Sequence, residues 1–462
     1  MSSVEPLVAH IARTTFDDLP AAAVTAAKIF VLDTFSCAMA GSTGPSTAEA
    51  LAAAQAWGRG DDATVWAHGV KLPGPSAALI NAYQIHCLEF DCVHEGSVIH
   101  PMSSLMSALL AEAERQTRAT GRRFSGREMI AAIVLGIDVA CSIGVCSKAP
   151  MRFFRPAAIG GFGAATACAK LRGFDKAQIW NTLGIMYGQT SGTMQAHVEG
   201  SKLLGLQVGF AARGALVACD LAAAGIEGPK DVISGQWGYL PLFEGDYDLQ
   251  PAWSQFGKVW RVCEVGHKPF PSGRLTHYAV DALQRMRAAH RFTAEQVAAI
   301  EIVCPPLPHR LVGRPDRADA TPNYAKLCLG YVCARALIRG TVDPSDFTED
   351  ALRDATTHAL AGKVRVILDG NPDLNAFGPQ TITVTLIDGQ RHRLTIDKAI
   401  GDPLNPLPRD RQIEKFWRCW DLAARPLPRD RGERLIAAID RLETVADVTD
   451  LVHLVSPPGA GA

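Results

Sequence analysis

From Val4 to about Ala224 one pattern repeats: apolar residues recur at three- and four-residue spacing, and alanine and glycine fill the contacts between them. That periodicity predicts helix after helix, among them Ala21–Ala40, Gly74–Phe90, Leu105–Gln116, Gly126–Ser147 and Gly160–Leu171. Small residues on the apolar faces predict close helix packing. The punctuation agrees. Asp17-Asp18-Leu19-Pro20 precedes one helix, and Ser125-Gly126-Arg127-Glu128 reads as a capping start for another.

After about residue 265 the texture changes. Val297–Cys304 alternates and stops at Pro305-Pro306, as a strand does. Gln380–Leu386 and Arg391–Ile396 flank Ile387-Asp388-Gly389-Gln390, a hairpin signal, and Val364–Leu368 is a further strand. Helices are expected between them at His277–Ala289, Tyr324–Arg339 and Phe347–Leu360. The expected fold class is mainly α: a large all-helical domain, residues 1–265 plus 410–456, and a smaller α+β domain, residues 266–405. Pro403 to Pro408 reads as a linker, after which the tail Gln412–Leu454 returns to the helical domain. Leu-Pro-Arg-Asp-Arg occurs at 407–411 and at 427–431, a local repetition.

At 462 residues the chain exceeds one small core. Its 46 Lys+Arg nearly cancel its 47 Asp+Glu, so no global field draws it to nucleic acid or an anionic membrane. The most apolar window, Ala131 to Val145, is interrupted by Asp138 and falls short of the roughly 20 residues that cross a bilayer. The start, Met1 to Glu5, lacks a basic region followed by an apolar one, so no signal peptide and a cytoplasmic setting are expected. The 12 cysteines form no CxxC pair and read as buried apolar residues rather than a zinc site. Gly200-Ser201 is no phosphate loop, and Ser103 and Ser104 lack the glycine-flanked elbow of a hydrolase nucleophile.

The chemistry concentrates at Glu89-Phe90-Asp91-Cys92-Val93-His94-Glu95-Gly96-Ser97-Val98-Ile99-His100-Pro101. Residues 89–100 hold three carboxylates, two imidazoles and a thiol and run into an apolar helix. Imidazoles beside carboxylates are the usual parts of proton-transfer catalysis. Pro101 holds His100 extended at a helix entry. Asp91 is placed to orient a histidine or take a proton. Lys268, beside the rigid Pro269-Phe270-Pro271 turn, suits carboxylate binding or, if desolvated, base chemistry. His277 opens a helix three residues after Arg274, so the two share a face if the helix starts early. Arg155 precedes a Gly-rich helix entry suited to anions.

These segments resemble the MmgE/PrpD family, which includes dehydratases, decarboxylases and epimerases of small carboxylic acids. The likeness rests on Phe30 to Phe35, Asn81 to Asp91, His100-Pro101, Gly160 to Ala165, and Lys268-Pro269-Phe270-Pro271 followed by His277, in that order across nearly the whole chain. It implies a homodimer, a site in the cleft between the domains, and neither metal nor organic cofactor. It also implies catalytic roles for Asp91, His94, His100, Lys268 and His277, and carboxylate binding by Arg155, Lys202, Arg274 and Arg314. The departures are local. Cys92 stands where the family commonly has an acid, Phe154 where many members have His, Gly273 where Cys or His is usual, and Leu311 where the family's decarboxylase has Tyr. The family's lysine before Leu-His-x-Gly aligns with Leu204, and Lys202 lies two positions earlier.

The expected function is a cofactor-free lyase of a small carboxylic acid, most simply a dehydratase. His100 or Asp91 would take a proton α to a carboxylate, His94 or His277 would serve as acid, and Lys268, Arg274 and Arg155 would hold the developing charge. An epimerase using the same proton abstraction, and a member that binds a small acid without turnover, are the alternatives. Apolar residues at polar family positions predict a substrate less charged or bulkier than a tricarboxylate.

Overall fold

The computed structural model describes residues 3–457. Met1 and Ser2, where the signal-peptide reading begins, lie outside the described residues. The long helices Ala21–Gly41, Gly74–His86, Pro101–Thr120, Gly126–Val145, Gly160–Arg172 and Leu203–Ala223 pack on one another around a single apolar core. Glycine permits their approach: a Cβ on Gly136 would lie 2.6 Å from the Gly163 carbonyl oxygen, and one on Gly163 would lie 2.7 Å from that of Gly136. The Ser125 hydroxyl accepts from the Glu128 N–H while the Glu128 carboxylate accepts from the Ser125 N–H, closing the expected capping box.

The helix over the most apolar window spans 20 residues, longer than that window suggested. It and the helices Ala21–Gly41 and Leu203–Ala223 are long and apolar enough to cross a membrane. In this fold their apolar faces are mostly covered by neighbouring helices.

Two strands interrupt the expected all-helical run. β1 (Ala63–Val65) pairs antiparallel with β2 (Val70–Leu72). No alternating run announces them; side chains from neighbouring helices fix them. Glu114 takes both the N–H and the hydroxyl of Thr64, and Asn81 bonds Trp66 N–H and Thr64 C=O. β3 (Val93–His94) pairs with β4 (Val265–Gly266), tying the acid/base stretch to the approach to Lys268. The α+β part carries a sheet of order β6-β5-β7-β8, formed by β5 (Val297–Cys304), β6 (Val364–Leu368), β7 (Gln380–Leu386) and β8 (Arg391–Ile396), with only β5 and β6 parallel. The hairpin turns through Gly389 at φ 87°, a conformation that favours glycine.

Two expected helices are broken. Tyr324–Arg339 is Pro322–Lys326 followed by Leu329–Arg339, because Cys328 is extended and bridges to Gly313. Phe347–Leu360 keeps only Ala355–Ala361 as α-helix, capped by the Asp354 carboxylate. Both Leu-Pro-Arg-Asp-Arg copies open helices, Arg409–Trp420 and Arg429–Asp440, with the proline at each N-cap. The first lies on Ala21–Gly41. There Lys415 Nζ bonds Asp33 at 2.7 Å and the Phe90 carbonyl at 2.8 Å, gripping the acid/base stretch from behind.

Candidate active site

A cavity of about 70 Å³ lies between the two parts. The helical part supplies Glu89, Val98, His100, Phe154 and His197, and the α+β part supplies Gly273, Arg274, Leu275, Leu311 and Phe377. Most of this wall is apolar. The polar groups come from strained backbone. The helix Gly74–His86 ends just before Glu89, which takes φ 53°, and Val98 takes φ 55°. Positive φ in non-glycine residues, above all a β-branched one, costs of order 1–3 kcal/mol and persists where surrounding contacts enforce it. The Glu95–Ser97 turn that precedes Val98 is clasped by Arg274 Nε, which donates to Glu95 at 2.7 Å, and by the Tyr278 hydroxyl, which donates to the same carboxylate at 3.2 Å, while Glu89 accepts from Lys268 at 2.8 Å.

Behind the cavity lies a cluster of two carboxylates, two imidazoles and one ammonium. Asp91 takes His86 Nδ1 at 3.1 Å and faces His100 Nδ1 at 3.4 Å. Glu89 faces His86 Nε2 at 3.3 Å and His100 Nε2 at 3.9 Å, and accepts from Lys268 Nζ at 2.8 Å. The two imidazoles meet edge to face with centroids 4.8 Å apart. Burial alone would raise Glu89, but Lys268 and then the imidazoles outweigh it and hold the carboxyl down to about 2. Burial likewise opposes ionisation of Asp91, and His100 and His86 overcome it. His86 moves up: burial disfavours its charge, yet two carboxylates more than compensate.

The structure thus brings Asp91, His100 and Lys268 together, with His100 reaching the cavity. It separates the other predicted residues from that cluster or commits them elsewhere. His94 does not line the cavity; its Nδ1 accepts from Ser97 N–H at 3.1 Å and its Nε2 donates to Glu264 at 2.9 Å. His277 is fully buried, donating from Nε2 to the Ser272 carbonyl at 3.2 Å and receiving Arg274 on Nδ1 at 3.5 Å. Burial, then Arg274 and Lys268, push its pKa down, which disfavours the protonated form that an acid role needs. Arg155 makes a buried two-point pair with Glu244, at 3.0 and 2.7 Å. Arg274 lines the cavity but directs four donor contacts elsewhere, to Glu95 and to the carbonyls of His267, Ala399 and Ile400. The expected anion role would require both arginines to give up some of these contacts, since an ion-paired guanidinium with engaged donors offers less to a ligand. Lys202 is exposed and lines a different hollow. Arg314 is not on the cavity wall; it donates to His197 Nδ1 and to the His197 carbonyl, both at 2.9 Å.

The signatures described as the MmgE/PrpD N-terminal domain and the MmgE/PrpD C-terminal domain match residues 5–252 and 270–444. The chain belongs to the MmgE/PrpD family. Similar proteins include the cis-aconitate decarboxylase-like protein oryM of Aspergillus oryzae, 26% identical over 95% of this chain and 94% of its own length. The human protein named cis-aconitate decarboxylase is 26% identical over 93% of this chain and 90% of its own. One of that name from Aspergillus terreus is 24% identical over 96% and 93%.

Within this MmgE/PrpD member the departures divide by position. Phe154, Gly273 and Leu311 face the cavity. A side chain at 273 would be tight, since its Cβ would lie 2.9 Å from Leu327 Cδ2. Cys92 is buried in the helical core, off the cavity wall, and burial raises its thiol pKa. Three participants escaped sequence reasoning. Glu89 and His86 lie inside the motif but carry no spacing signal for a shared contact. His197 sits alone in the short helix Gln195–Glu199; its partner Arg314 was the only pointer. Burial and then Arg314 hold His197 down to about 3, so it is neutral, and with Nδ1 receiving Arg314 its proton resides on Nε2. Ligand atoms of His86, Asp91 and His100 lie within 4.8 Å of one another, close enough to share a cation. A cation there would compete with protonation of His86, which the two carboxylates beside it favour.

Proposed function

We propose that this MmgE/PrpD member is a lyase of a small carboxylic acid, in which His100 moves a proton at the carbon next to the carboxylate. The observation that carries the reading is the position of His100: it is on the cavity wall, with Asp91 and Glu89 behind it. Charge balance supports it. Glu89 and Asp91 face Lys268 and the imidazoles of His86 and His100, so a proton that His100 takes from the substrate comes to rest beside two carboxylates. Glu89, held near 2, stays ionised, and His197, held near 3, stays neutral. Neither exchanges protons readily near neutrality.

The finer reading is dehydration. The His100 imidazole takes the proton α to the carboxylate, the bond from the β-carbon to its hydroxyl breaks, and the same imidazole returns the proton to the departing hydroxide as water. The carbanionic charge is met by the neutral His197 Nε2–H, a preorganised donor, and by the positive groups behind Glu89. The arginines at the site are already paired, and the wall is apolar, so the reading favours a substrate with one carboxylate and an apolar part over a tricarboxylate.

The relatives' printed names favour a second reading, decarboxylation, in which carbon dioxide leaves and a protonated His100 delivers the proton to the same carbon. The test is a screen of hydroxy and unsaturated carboxylic acids in deuterium oxide, followed by NMR and carbon dioxide release. Loss of water with a new alkene supports dehydration. Carbon dioxide release supports decarboxylation. Deuterium incorporation without loss of either supports epimerisation and overturns the lyase reading, as does an absence of turnover and exchange across the screen.

A further inference from the structure

Three lysines are buried among the described residues: Lys268, Lys326 and Lys415. Two hold carboxylates, Lys268 with Glu89 at 2.8 Å and Lys415 with Asp33 at 2.7 Å. Lys326 holds none. Among the described residues its ammonium has the Cys87 carbonyl at 2.9 Å and the ring of Phe347 at 6.0 Å. A buried ammonium without an anion is costly, and proteins pair such a group or neutralise it. Burial has moved this amine down to about 8, and the Glu89 carboxylate, which is paired with Lys268, offsets only part of that.

Lys326 is almost wholly covered, yet it forms part of the wall of a cavity. It lines a hollow of about 490 Å³, distinct from the cavity at His100 and large enough for a small molecule. Leu88, Pro45, Phe347 and Leu422 give this hollow an apolar surface, and Lys202 adds a second cation at it. Its one acid, Glu349, is largely exposed and paired with Arg353 at 3.3 Å. The two cavities stand back to back: Leu88 and Lys326 line this one, and their chain neighbours Glu89 and Leu327 line the other.

We infer that this hollow is a second ligand site, which takes a small monocarboxylate with its charged end at Lys326 and its short apolar chain along Leu88 and Phe347. The ammonium supplies the missing ion pair, and the apolar wall supplies burial for the chain. A mostly apolar hollow with a few convergent polar groups is the usual form of a small-molecule site.

Calorimetric titration with hexanoate, and separately with inorganic phosphate, tests this on the whole protein. The proteins compared are wild type, Lys326→Met, Ser345→Trp at the hollow's lining, and His100→Asn in the other cavity. Wild type is expected to show a hexanoate-binding component that Lys326→Met weakens and Ser345→Trp obstructs, and that component is expected to persist in His100→Asn, whatever hexanoate the other cavity takes. Lys326→Met is expected to bind it about tenfold more weakly or worse, the value of a hydrogen bond to a charged group. Should Lys326→Met fail to fold by circular dichroism, Ser345→Trp carries the test, since it obstructs the hollow without removing a buried group. Unchanged binding in the folded variants, loss of binding only in His100→Asn, or no hexanoate binding to wild type overturns the inference. Phosphate binding where hexanoate does not bind overturns the monocarboxylate assignment.

Discussion

Glu89 and Lys268 meet at 2.8 Å across the seam between the helical part and the α+β part, both buried. One partner comes from a left-handed turn just after a helix and the other from the segment following β4. Their contact fixes the carboxylate that faces His100, so the seam and the candidate site share one ion pair.

Removing Glu89 takes from the buried Lys268 the carboxylate it holds, and removing Lys268 leaves the buried Glu89 with only the two imidazoles. Lys268→Met and Glu89→Gln are each expected to destabilise the fold by about 3–5 kcal/mol, and the double variant by less than the sum. Urea unfolding of the four proteins measures the coupling. Additive losses would mean that the pair does not hold the seam.

His100→Asn is expected to lower turnover by about 10²–10⁴-fold with little change in unfolding midpoint, because the side chain faces a cavity and performs proton transfer. His94→Asn and His277→Asn are expected to do the reverse, lowering the midpoint while kcat of the surviving folded protein stays near wild type. Steady-state kinetics paired with thermal unfolding separates the two classes. A kcat collapse in folded His277→Asn would return it to the chemistry.

The helices, the sheet strands and the hairpin were legible because each buries a periodic face or turns at Asp-Gly. The β1–β2 pair was not, since Glu114 and Asn81 impose it from outside the segment. At the site the sequence pointed to Asp91, His100 and Lys268, but not to what pairs with each cation. Arg155 and Arg274 resembled anion binders because Glu244 lies 89 residues and Glu95 179 residues away. Pairing at such separation is set by the fold and leaves no local spacing to read. His197 was silent for the same reason.

Acid should weaken the fold in two stages. His197 is held down to about 3 against an ordinary 6.5, so below 6.5 the unfolded chain takes up a proton that the fold refuses, and stability falls with pH from there. Glu89, at about 2 against 4.5, contributes stability that is full above 4.5 and is lost as pH falls towards 2. His86 acts oppositely: its raised pKa gives stability that is full below 6.5 and lost as pH rises through its folded value. Urea midpoints measured against pH for wild type and His197→Asn should differ in slope just below 6.5. Parallel curves would remove His197 from the account.

Close helix packing at Gly136 predicts a cost for one methyl group. Its Cβ would lie 2.5 Å from Leu105 Cδ1 and 2.6 Å from the Gly163 carbonyl oxygen. Gly136→Ala should lose about 1–3 kcal/mol to overpacking, outweighing the roughly 1 kcal/mol that alanine gains in a helix. Gly58→Ala, with nothing within 4 Å of the new carbon, should be near neutral. Thermal unfolding of both variants decides whether the glycine is required by space.

The cavity wall itself sets the last expectation. Phe154 and Leu311 face it, at positions where the family resemblance implies polar side chains, and Arg155 and Arg274 are paired. Phe154→His would place an imidazole near His86, whose ring lies 5.8 Å from that of Phe154. The carboxylates beside His86 raise its pKa and favour its charged form, which disfavours charge on a second imidazole placed there; a neutral imidazole still donates one hydrogen bond. Leu311→Tyr would add a second donor from the opposite part. Each donor reaching an additional substrate carboxylate is worth about 1.5–3 kcal/mol, or roughly tenfold to a hundredfold. The double variant should therefore shift the ratio of kcat/KM for di- and tricarboxylic acids over monocarboxylic acids upward by at least about tenfold. A ratio that stays fixed while the protein remains folded would show that selectivity lies in the Glu89–His100 end of the cavity rather than in its apolar wall.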